Sequence, residues 1–300
     1  MTLTYPHPIR VAHSPDADDA FMFYAARSGK VDLEGLVFED ELKDIESLNQ
    51  ACFEGTYDLT AISYAAYPFV KEHYRLLSVG SSVGDKYGPV LVAKREMTQD
   101  ELRSAKIGVP GLKTSAYLAL RLWDNDLKPE NLIVTPFDQI LEKVQSGELD
   151  AGVIIHEGQL YFAKSGLTRI VDLGVWWFEL TNLVLPLGGN AVKRSLPEDV
   201  QMAVGRVLQR SIAWALETPE QRKEALNYAL QYARDLDPAL ADRFVGMYVN
   251  DYTLYGGPPV TRAVKLMLWM GQGIGVIPEK IVPDVLEIGE PAQNACCAKA

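Results

Sequence analysis

The chain of 300 residues contains few cysteines and histidines, three and four of them respectively. Cys52 stands alone, Cys296 and Cys297 are adjacent, and the sequence has no C-x-x-C pair or Cys/His cluster. A disulfide framework or a zinc site needs such groups, so we predict neither and expect no metal. The same scarcity is typical of proteins in a reducing cytoplasm.

Clusters of positive charge and long apolar runs are also missing. The net charge is −11, from 29 basic and 40 acidic residues, and no basic run exceeds two residues. Nucleic-acid binding needs a concentrated basic face, so we expect no nucleic-acid partner. No segment approaches ~18 uninterrupted apolar residues, which predicts no membrane span. Residues 1–8 lack the charged and apolar regions of a secretion signal, so we expect a cytoplasmic location.

Apolar residues make up 48% of the chain, enough for a full core. Short apolar runs alternate with helical patterns as far as about residue 190, which predicts an α/β fold built from βαβ units. The run 151–155 is almost wholly apolar and is typical of a parallel strand buried on both faces. The later sequence is nearly all helical, and we predict helices at 199–215, 219–234, 238–249 and 259–270.

This order of elements predicts two lobes around a cleft. The first lobe is discontinuous and comprises residues 1–93 and 192–300, and the second lobe, residues 94–191, is inserted into it. Two strand-like crossings, near 93–94 and 189–192, would form the hinge. Loops at the carboxyl ends of strands face each other in such a fold, so we expect a small ligand between the lobes.

An acidic run follows the first predicted strand. Asp16, Asp18 and Asp19 lie behind Ser14 where a helix is predicted to begin. Carboxylates are favoured there as helix caps, and one or two would be enough for that role. Three carboxylates within four residues are more than helix capping needs, so we expect at least one of them to contact a ligand or a catalytic partner. The run lacks the central glycine and the closing acid of a calcium loop.

Hydroxyl groups follow two further predicted strands. Ser63 either caps the next helix or donates a hydrogen bond to a ligand, and its position alone leaves both open. Thr114 and Ser115 follow a turn at Gly111 and begin a helix, where free N–H groups and hydroxyls can hold an anion. The G-x-x-x-x-G-K-[ST] pattern of a nucleotide-binding loop is absent, so we expect this anion to be a carboxylate.

His156 ends the apolar strand 151–155 at the predicted edge of the cleft. A lone histidine beside apolar residues is more often structural, and this alternative stays open. The imidazole ionises near neutral pH, which makes His156 the best candidate among the four histidines for a proton-transfer group. The neighbouring Glu157 does not complete an H-E-x-x-H zinc motif.

Together these segments resemble the 1,4-dihydroxy-6-naphthoate synthase family of the futalosine route of menaquinone biosynthesis. The resemblance covers roughly residues 9–260. It rests on four patterns in matching order: Ser14-Pro-x-x-x-Asp19-x-Phe21, Ser63-Tyr-Ala-Ala-Tyr67, Val109-Pro-Gly111 with Thr114-Ser115-Ala-Tyr117, and Ala151-Gly-Val-Ile-Ile-His156-Glu157.

The resemblance implies a two-lobed periplasmic-binding-protein-like fold of the second type, used as a carbon–carbon lyase without a cofactor. The implied reaction converts cyclic dehypoxanthine futalosine to 1,4-dihydroxy-6-naphthoate and releases dihydroxyacetone. His156 would be the general base, and Asp19 would position the substrate or that base, which leaves Asp16 and Asp18 as helix caps. The implied substrate contacts are Ser14, Ala61, Ile62, Ser63, Thr114 and Ser115, and the last two would meet the substrate carboxylate.

Two positions depart from the family pattern. Ala61 stands where members often carry lysine, and Asp16-Ala17-Asp18 replaces a cysteine-proline-asparagine-like run; both would suit a divergent subgroup with a different acidic substrate. The same fold also suits a solute-binding protein for a small carboxylate, which would be exported. A third alternative is chorismate dehydratase. The sequence leaves the oligomeric state open.

Overall fold

The computed structural model describes residues 5–232 and 237–289. Cys296 and Cys297 lie outside these ranges, as do the last two residues of the predicted helix 219–234. The first part of the chain alternates strands and helices, as predicted. In order, its elements are β1 (Ile9–His13), α1 (Ala17–Arg27), β2 (Phe38–Leu42), α2 (Ile45–Phe53), β3 (Leu59–Ser63), α3 (Tyr67–Val70), β4 (Tyr74–Leu77) and β5 (Ser82–Gly84).

The middle part continues this alternation. Its elements are β6 (Val90–Ala93), α4 (Gln99–Ser104), β7 (Ile107–Val109), α5 (Ser115–Trp123), β8 (Leu132–Val134), α6 (Phe137–Ser146), β9 (Ala151–Ile154), α7 (Gly158–Tyr161), β10 (Thr168–Asp172) and α8 (Leu173–Thr181). Helix α8 was not predicted from the sequence. The Asp172 carboxylate caps it by accepting from the N–H groups of Gly174 and Val175 at 2.9 and 3.1 Å.

The last part is one long strand followed by helices. Its elements are β11 (Leu185–Lys193), α9 (Glu198–Glu217), α10 (Pro219–Ala229), α11 (Pro238–Tyr248), α12 (Asp251–Leu254), α13 (Gly257–Gly273) and β12 (Val285–Leu286). The predicted helices of this region are present where the structure describes it.

The strands form two sheets. The first has the order β12-β4-β11-β3-β1-β2 with β5 beside β11, and the second has the order β10-β6-β9-β7-β8. Strand β1 runs parallel to β2 and β3, and β7 runs parallel to β8 and β9. Strand β9 also pairs antiparallel with β6, so the buried apolar run 151–155 has one parallel neighbour and one antiparallel neighbour.

Two strands pair in the sheet opposite to the one expected from the predicted lobe boundaries. Strand β6 lies within the predicted first lobe but pairs in the second sheet, and most of β11 lies within the predicted second lobe but pairs in the first sheet. The chain therefore passes between the sheets before each of these strands. Both strands are apolar and antiparallel to their neighbours, so their sequence pattern does not indicate which sheet they join. The division into two lobes stays a prediction.

Helix α1 is fixed at the carboxyl end of β1 by its packing on α9. Ser211 of α9 is fully buried; its hydroxyl donates to the carbonyl of Met22 at 2.6 Å and accepts from the N–H of Ala26 at 3.0 Å. Phe21 and Ile212 are buried in the same core. The acidic segment at the start of α1 therefore sits on a rigid support.

Among the helices of residues 5–232 and 237–289, none has the length and apolar character needed to cross a membrane.

Candidate active site

A cavity of about 730 Å³, measured with its open mouth, is lined by strand ends from both sheets. All the site residues predicted from the sequence line it: Ser14, Asp19, Ala61, Ile62, Ser63, Thr114, Ser115 and His156. Other lining residues were not predicted from the sequence, among them Ser82, Gln159, Phe244 and Tyr248. Within the described ranges, the lining contains no lysine or arginine, so a bound carboxylate would have to be met by neutral donors or histidine.

The acidic segment forms a local hydrogen-bonded turn. The N–H of Ser14 donates to Asp19 Oδ2 at 2.8 Å, and the Ser14 hydroxyl donates to Asp16 Oδ2. Asp16 occupies the N-cap position of α1, but its side chain makes no capping hydrogen bond. Its Oδ2 lies 3.3 Å from His156 Nδ1 instead. The expectation that Asp16 acts as a helix cap is therefore wrong, because its carboxylate is directed to Ser14 and His156.

The other two carboxylates are buried beside it. Burial, followed by the charge of the neighbouring Asp16, raises the pKa of Asp18 to about 6, and His156 opposes the shift. Burial, followed by the charge of Asp18, raises the pKa of Asp19 well above its ordinary value. The Ser82 hydroxyl lies 3.5 Å from Asp18 Oδ2. Asp18 and Asp19 therefore retain protons at pH values where isolated aspartates are ionised.

His156 follows β9 in a left-handed backbone conformation, with φ +54°. A non-glycine residue there carries strain, which is common at functional sites. The ring packs edge-on against Phe137, with ring centres 4.7 Å apart. Its Nε2 has no hydrogen-bond partner among the described residues, and the side chain is 18% exposed. The imidazole therefore has Nδ1 beside Asp16, and its Nε2 is a buried nitrogen that the described residues leave without a partner.

The predicted anion site at Thr114 and Ser115 differs from expectation, because both hydroxyl groups already have partners within the protein. The Thr114 hydroxyl caps α5, accepting from the N–H of Tyr117 at 3.2 Å and donating to the carbonyl of Gly111 at 2.8 Å. The Ser115 hydroxyl accepts from the N–H of Ala65 at 3.1 Å. The N–H groups of Ser115 and Ala116 lie in the first turn of α5, where no backbone acceptor within the helix is available. They are the donors left for an anion, because a helix N-terminus favours negative charge.

Ser63 does not cap the following helix. Helix α3 begins four residues later, and its N-cap Ala66 makes no side-chain hydrogen bond. The N–H of Ser63 donates to Asn49 Oδ1 at 2.9 Å, and its hydroxyl accepts from Asn49 Nδ2 at 3.1 Å. This partner of Ser63 was not predicted, although an amide on the apolar face of a predicted helix indicates a buried hydrogen bond.

Phe244 and Tyr248 of α11 complete the wall. Tyr248 of α11 lies 2.9 Å from the amide of Gln159 in α7, measured from the Tyr248 hydroxyl. Burial raises the pKa of Tyr248, so this hydroxyl stays protonated. The contact joins the helical C-terminal region to the segment that carries His156.

The expectation of a site without a metal or an organic cofactor stays a prediction. Across the described ranges, no three histidine, cysteine, aspartate or glutamate side chains are grouped as metal ligands would be.

Comparison with known proteins identifies the relatives of this chain. The profile of the menaquinone biosynthesis family matches residues 9–272. The 1,4-dihydroxy-6-naphthoate synthase of Thermus thermophilus is 38% identical over 268 residues, which cover 89% of this chain and 95% of that protein. These matches confirm the resemblance drawn from the four sequence patterns.

Solved structures support the fold. A crystal structure of an Archaeoglobus fulgidus protein superposes with a TM-score of 0.86 and 46% identity, over 91% of this chain and all of that one. A Candida albicans protein described as having the generic periplasmic binding protein fold superposes with a TM-score of 0.69 and 14% identity, over 96% of this chain and 98% of that one. The predicted periplasmic-binding-protein-like α/β fold is therefore confirmed.

Proposed function

Because the chain belongs to the menaquinone biosynthesis family, we propose that it is a carbon–carbon lyase that converts cyclic dehypoxanthine futalosine to 1,4-dihydroxy-6-naphthoate and dihydroxyacetone. The observation that carries this proposal is the position of His156. It lines the same cavity as the start of α5, with Nδ1 at Asp16 and Nε2 unpartnered among the described residues.

In the proposed mechanism His156 is the general base. Its Nε2 removes a proton from the bound substrate, the released electron pair moves into the ring system, and a carbon–carbon bond breaks. The three-carbon fragment leaves with that bond's electron pair and takes up a proton, which the imidazolium can return. A positioned base of suitable pKa contributes about 10²–10⁴-fold to such a reaction.

The substrate carboxylate is proposed to bind at the N-terminus of α5. The N–H groups of Ser115 and Ala116 are available there, and the helix dipole favours an anion. Thr114 would contribute indirectly, because its hydroxyl accepts from the N–H of Tyr117 and so holds the first turn of α5 in place. Ser14, Ala61, Ile62 and Ser63 would contact the rest of the substrate, as all of them line the cavity.

Asp19 would position hydroxyl groups of the substrate, and it would not be the residue that positions His156. Its Oδ2 already accepts from the N–H of Ser14, whereas Asp16 is the carboxylate that contacts His156. Asp18, beside Ser82, lies in the same part of the cavity wall. These protonatable carboxylates can both donate to and accept from hydroxyl groups.

The lobe arrangement is proposed as two bodies, one built on each sheet, with the substrate between them. On this basis the crossings precede β6 and β11. A cytoplasmic location is also proposed, in keeping with the biosynthetic role of the family, and fractionation of cells that produce the protein would test it.

The experiment is to incubate the purified protein with cyclic dehypoxanthine futalosine and follow the fluorescence of the naphthoate product. We expect turnover by the wild type, and His156→Gln should lower kcat about 10²–10⁴-fold. The matched control is His73→Gln, because His73 is exposed and is not a cavity-lining residue; it should retain full activity.

Parallel assays distinguish the alternatives. Conversion of chorismate to an enolpyruvyl benzoate, followed by absorbance, would identify a dehydratase instead. Tight binding of a carboxylate by calorimetry without turnover of either compound would identify a solute-binding protein. Full activity of His156→Gln would disprove the proposed base.

A further inference from the structure

Asp16 occupies a position that helix capping does not explain. It is the N-cap residue of α1, yet its side chain makes no capping bond and is almost fully buried. Its Oδ2 accepts from the Ser14 hydroxyl, and the same oxygen lies 3.3 Å from His156 Nδ1. A carboxylate at an N-cap position can lack the capping hydrogen bond at little cost in stability only where it has another strong partner.

The two partners of this contact are held independently. The N–H of Asp16 donates to Ser14 Oγ at 3.0 Å, so the Ser14 hydroxyl is bonded to both the backbone and the side chain of Asp16. On the other side, the ring of His156 packs on Phe137 and its backbone has the left-handed conformation. Each group therefore has contacts of its own in addition to the one between them.

The remaining carboxylates of the segment do not make this contact. Asp19 Oδ2 accepts from the N–H of Ser14, and Asp18 faces the hydroxyl of Ser82. Both have a raised pKa because they are buried. Asp16 is thus the carboxylate that geometry assigns to His156.

A carboxylate at one imidazole nitrogen has two effects on the other. It holds the proton on Nδ1, which leaves Nε2 as the basic atom. It also fixes the orientation of the ring and stabilises the imidazolium that forms when Nε2 takes up a proton. His156 Nε2 has no partner among the described residues, so it is the nitrogen left to act on a ligand.

We propose that Asp16 is the positioning residue for His156, holding the imidazole as the Nδ1–H tautomer so that Nε2 faces the cavity as the base. The catalytic part of this inference rests on the proposed function, and the tautomer part does not. Asp16 was expected to be a cap, and Asp19 was expected to hold this role.

The test compares Asp16→Asn with the wild type in two measurements. The first is lyase kinetics: we expect kcat to fall about 10²–10⁴-fold, with KM changed less than about threefold, because orientation of the base acts on the chemical step. Adding His156→Gln to Asp16→Asn should lower kcat little further, since the two residues act as a unit. The matched control is Asp85→Asn, an exposed carboxylate outside the cavity lining.

The second measurement is the tautomer of His156, read from the ¹⁵N shifts of the imidazole and assigned by the signal that disappears in His156→Gln. We expect the Nδ1–H form in the wild type and loss of that preference in Asp16→Asn. A wild-type Nε2–H form would overturn the inference, as would a folded Asp16→Asn enzyme with kcat within threefold of the wild type.

The two readouts separate the failure of this inference from the failure of the proposed function. If the wild type does not turn over the substrate, the function fails, and the tautomer measurement still decides the role of Asp16. If Asp16→Asn does not fold, the wild-type tautomer decides alone: the Nδ1–H form supports the inference and the Nε2–H form overturns it.

Discussion

Asn49 and Ser63 exchange two hydrogen bonds at the edge of the cavity. Asn49 Oδ1 accepts from the N–H of Ser63 at 2.9 Å, and Asn49 Nδ2 donates to the Ser63 hydroxyl at 3.1 Å. Asn49 is fully buried in α2, and Ser63 is the last residue of β3. A single amide therefore satisfies the backbone at the strand end and leaves the Ser63 hydroxyl free to donate to a ligand.

Replacing Asn49 by alanine should lower the free energy of unfolding by about 1–3 kcal/mol, because the buried N–H of Ser63 loses its acceptor. KM for the substrate should rise in the same variant. Denaturant unfolding and steady-state kinetics measure the two effects. Gln50→Ala, at the next and exposed position of α2, should change stability by less than about 0.5 kcal/mol. Equal stability of the two variants would contradict the role given to Asn49.

Ser115→Ala should weaken substrate binding. The Ser115 hydroxyl accepts from the N–H of Ala65 at 3.1 Å, so it links the start of α5 to the segment after β3. Both residues are buried, and removal of the hydroxyl leaves an N–H without an acceptor at a cost of about 1–3 kcal/mol. This cost lowers the stability of the folded protein, and because the link also holds the start of α5 at the proposed carboxylate site, KM should rise as well. The comparison is Ser104→Ala, an exposed serine of α4, and an unchanged KM in Ser115→Ala would show that the link has no role in binding.

Asp18→Asn should change how stability depends on pH. The pKa of Asp18 is about 6 in the folded protein against an ordinary 3.8. The folded state therefore binds this proton more tightly than the unfolded state, and the stability from this group is present below about pH 4 and lost as pH rises to about 6. The asparagine side chain resembles the protonated carboxyl group. The free energy of unfolding of Asp18→Asn should therefore rise by on the order of 2–3 kcal/mol relative to the wild type between pH 4 and 7.

Chemical unfolding of both proteins at several pH values between 4.5 and 7.5 measures this difference. Asp85→Asn serves as the control, because its carboxylate is exposed, and its difference from the wild type should stay constant. A constant difference for Asp18→Asn as well would show that Asp18 is ionised like an exposed aspartate.

Gly174→Ala should prevent stable folding. An added methyl group would lie 1.9 Å from the carbonyl oxygen of Tyr87, where backbone meets backbone and cannot move aside. We expect a loss of about 3 kcal/mol or more and little soluble protein. At Gly273 no heavy atom lies within 4 Å of such a methyl group, and alanine there should be neutral or stabilising by up to about 1 kcal/mol. Thermal unfolding compares the two, and a Tm for Gly174→Ala within a few degrees of the wild type would refute this close approach.

The order of strands and helices and the four strand-end segments could be predicted from the sequence, because these features depend on near neighbours. Thr114 begins α5 because a threonine before an apolar helical pattern caps it locally. His156 follows β9 because an apolar run ends there. Each predicted site residue lines the cavity for the same reason: strand ends meet at the edge of a sheet.

The partners of those residues depended on tertiary structure. Asp16 and Asp19 are both aspartates near the start of one helix, and only the tertiary structure brings Asp16 rather than Asp19 to His156. Asn49 reaches Ser63 because α2 packs on β3. The sequence by itself thus determined which groups reach the cavity, through local hydrogen bonding and hydrophobic periodicity. Which of them touch was decided by the packing of segments far apart in the chain, for which no local pattern exists.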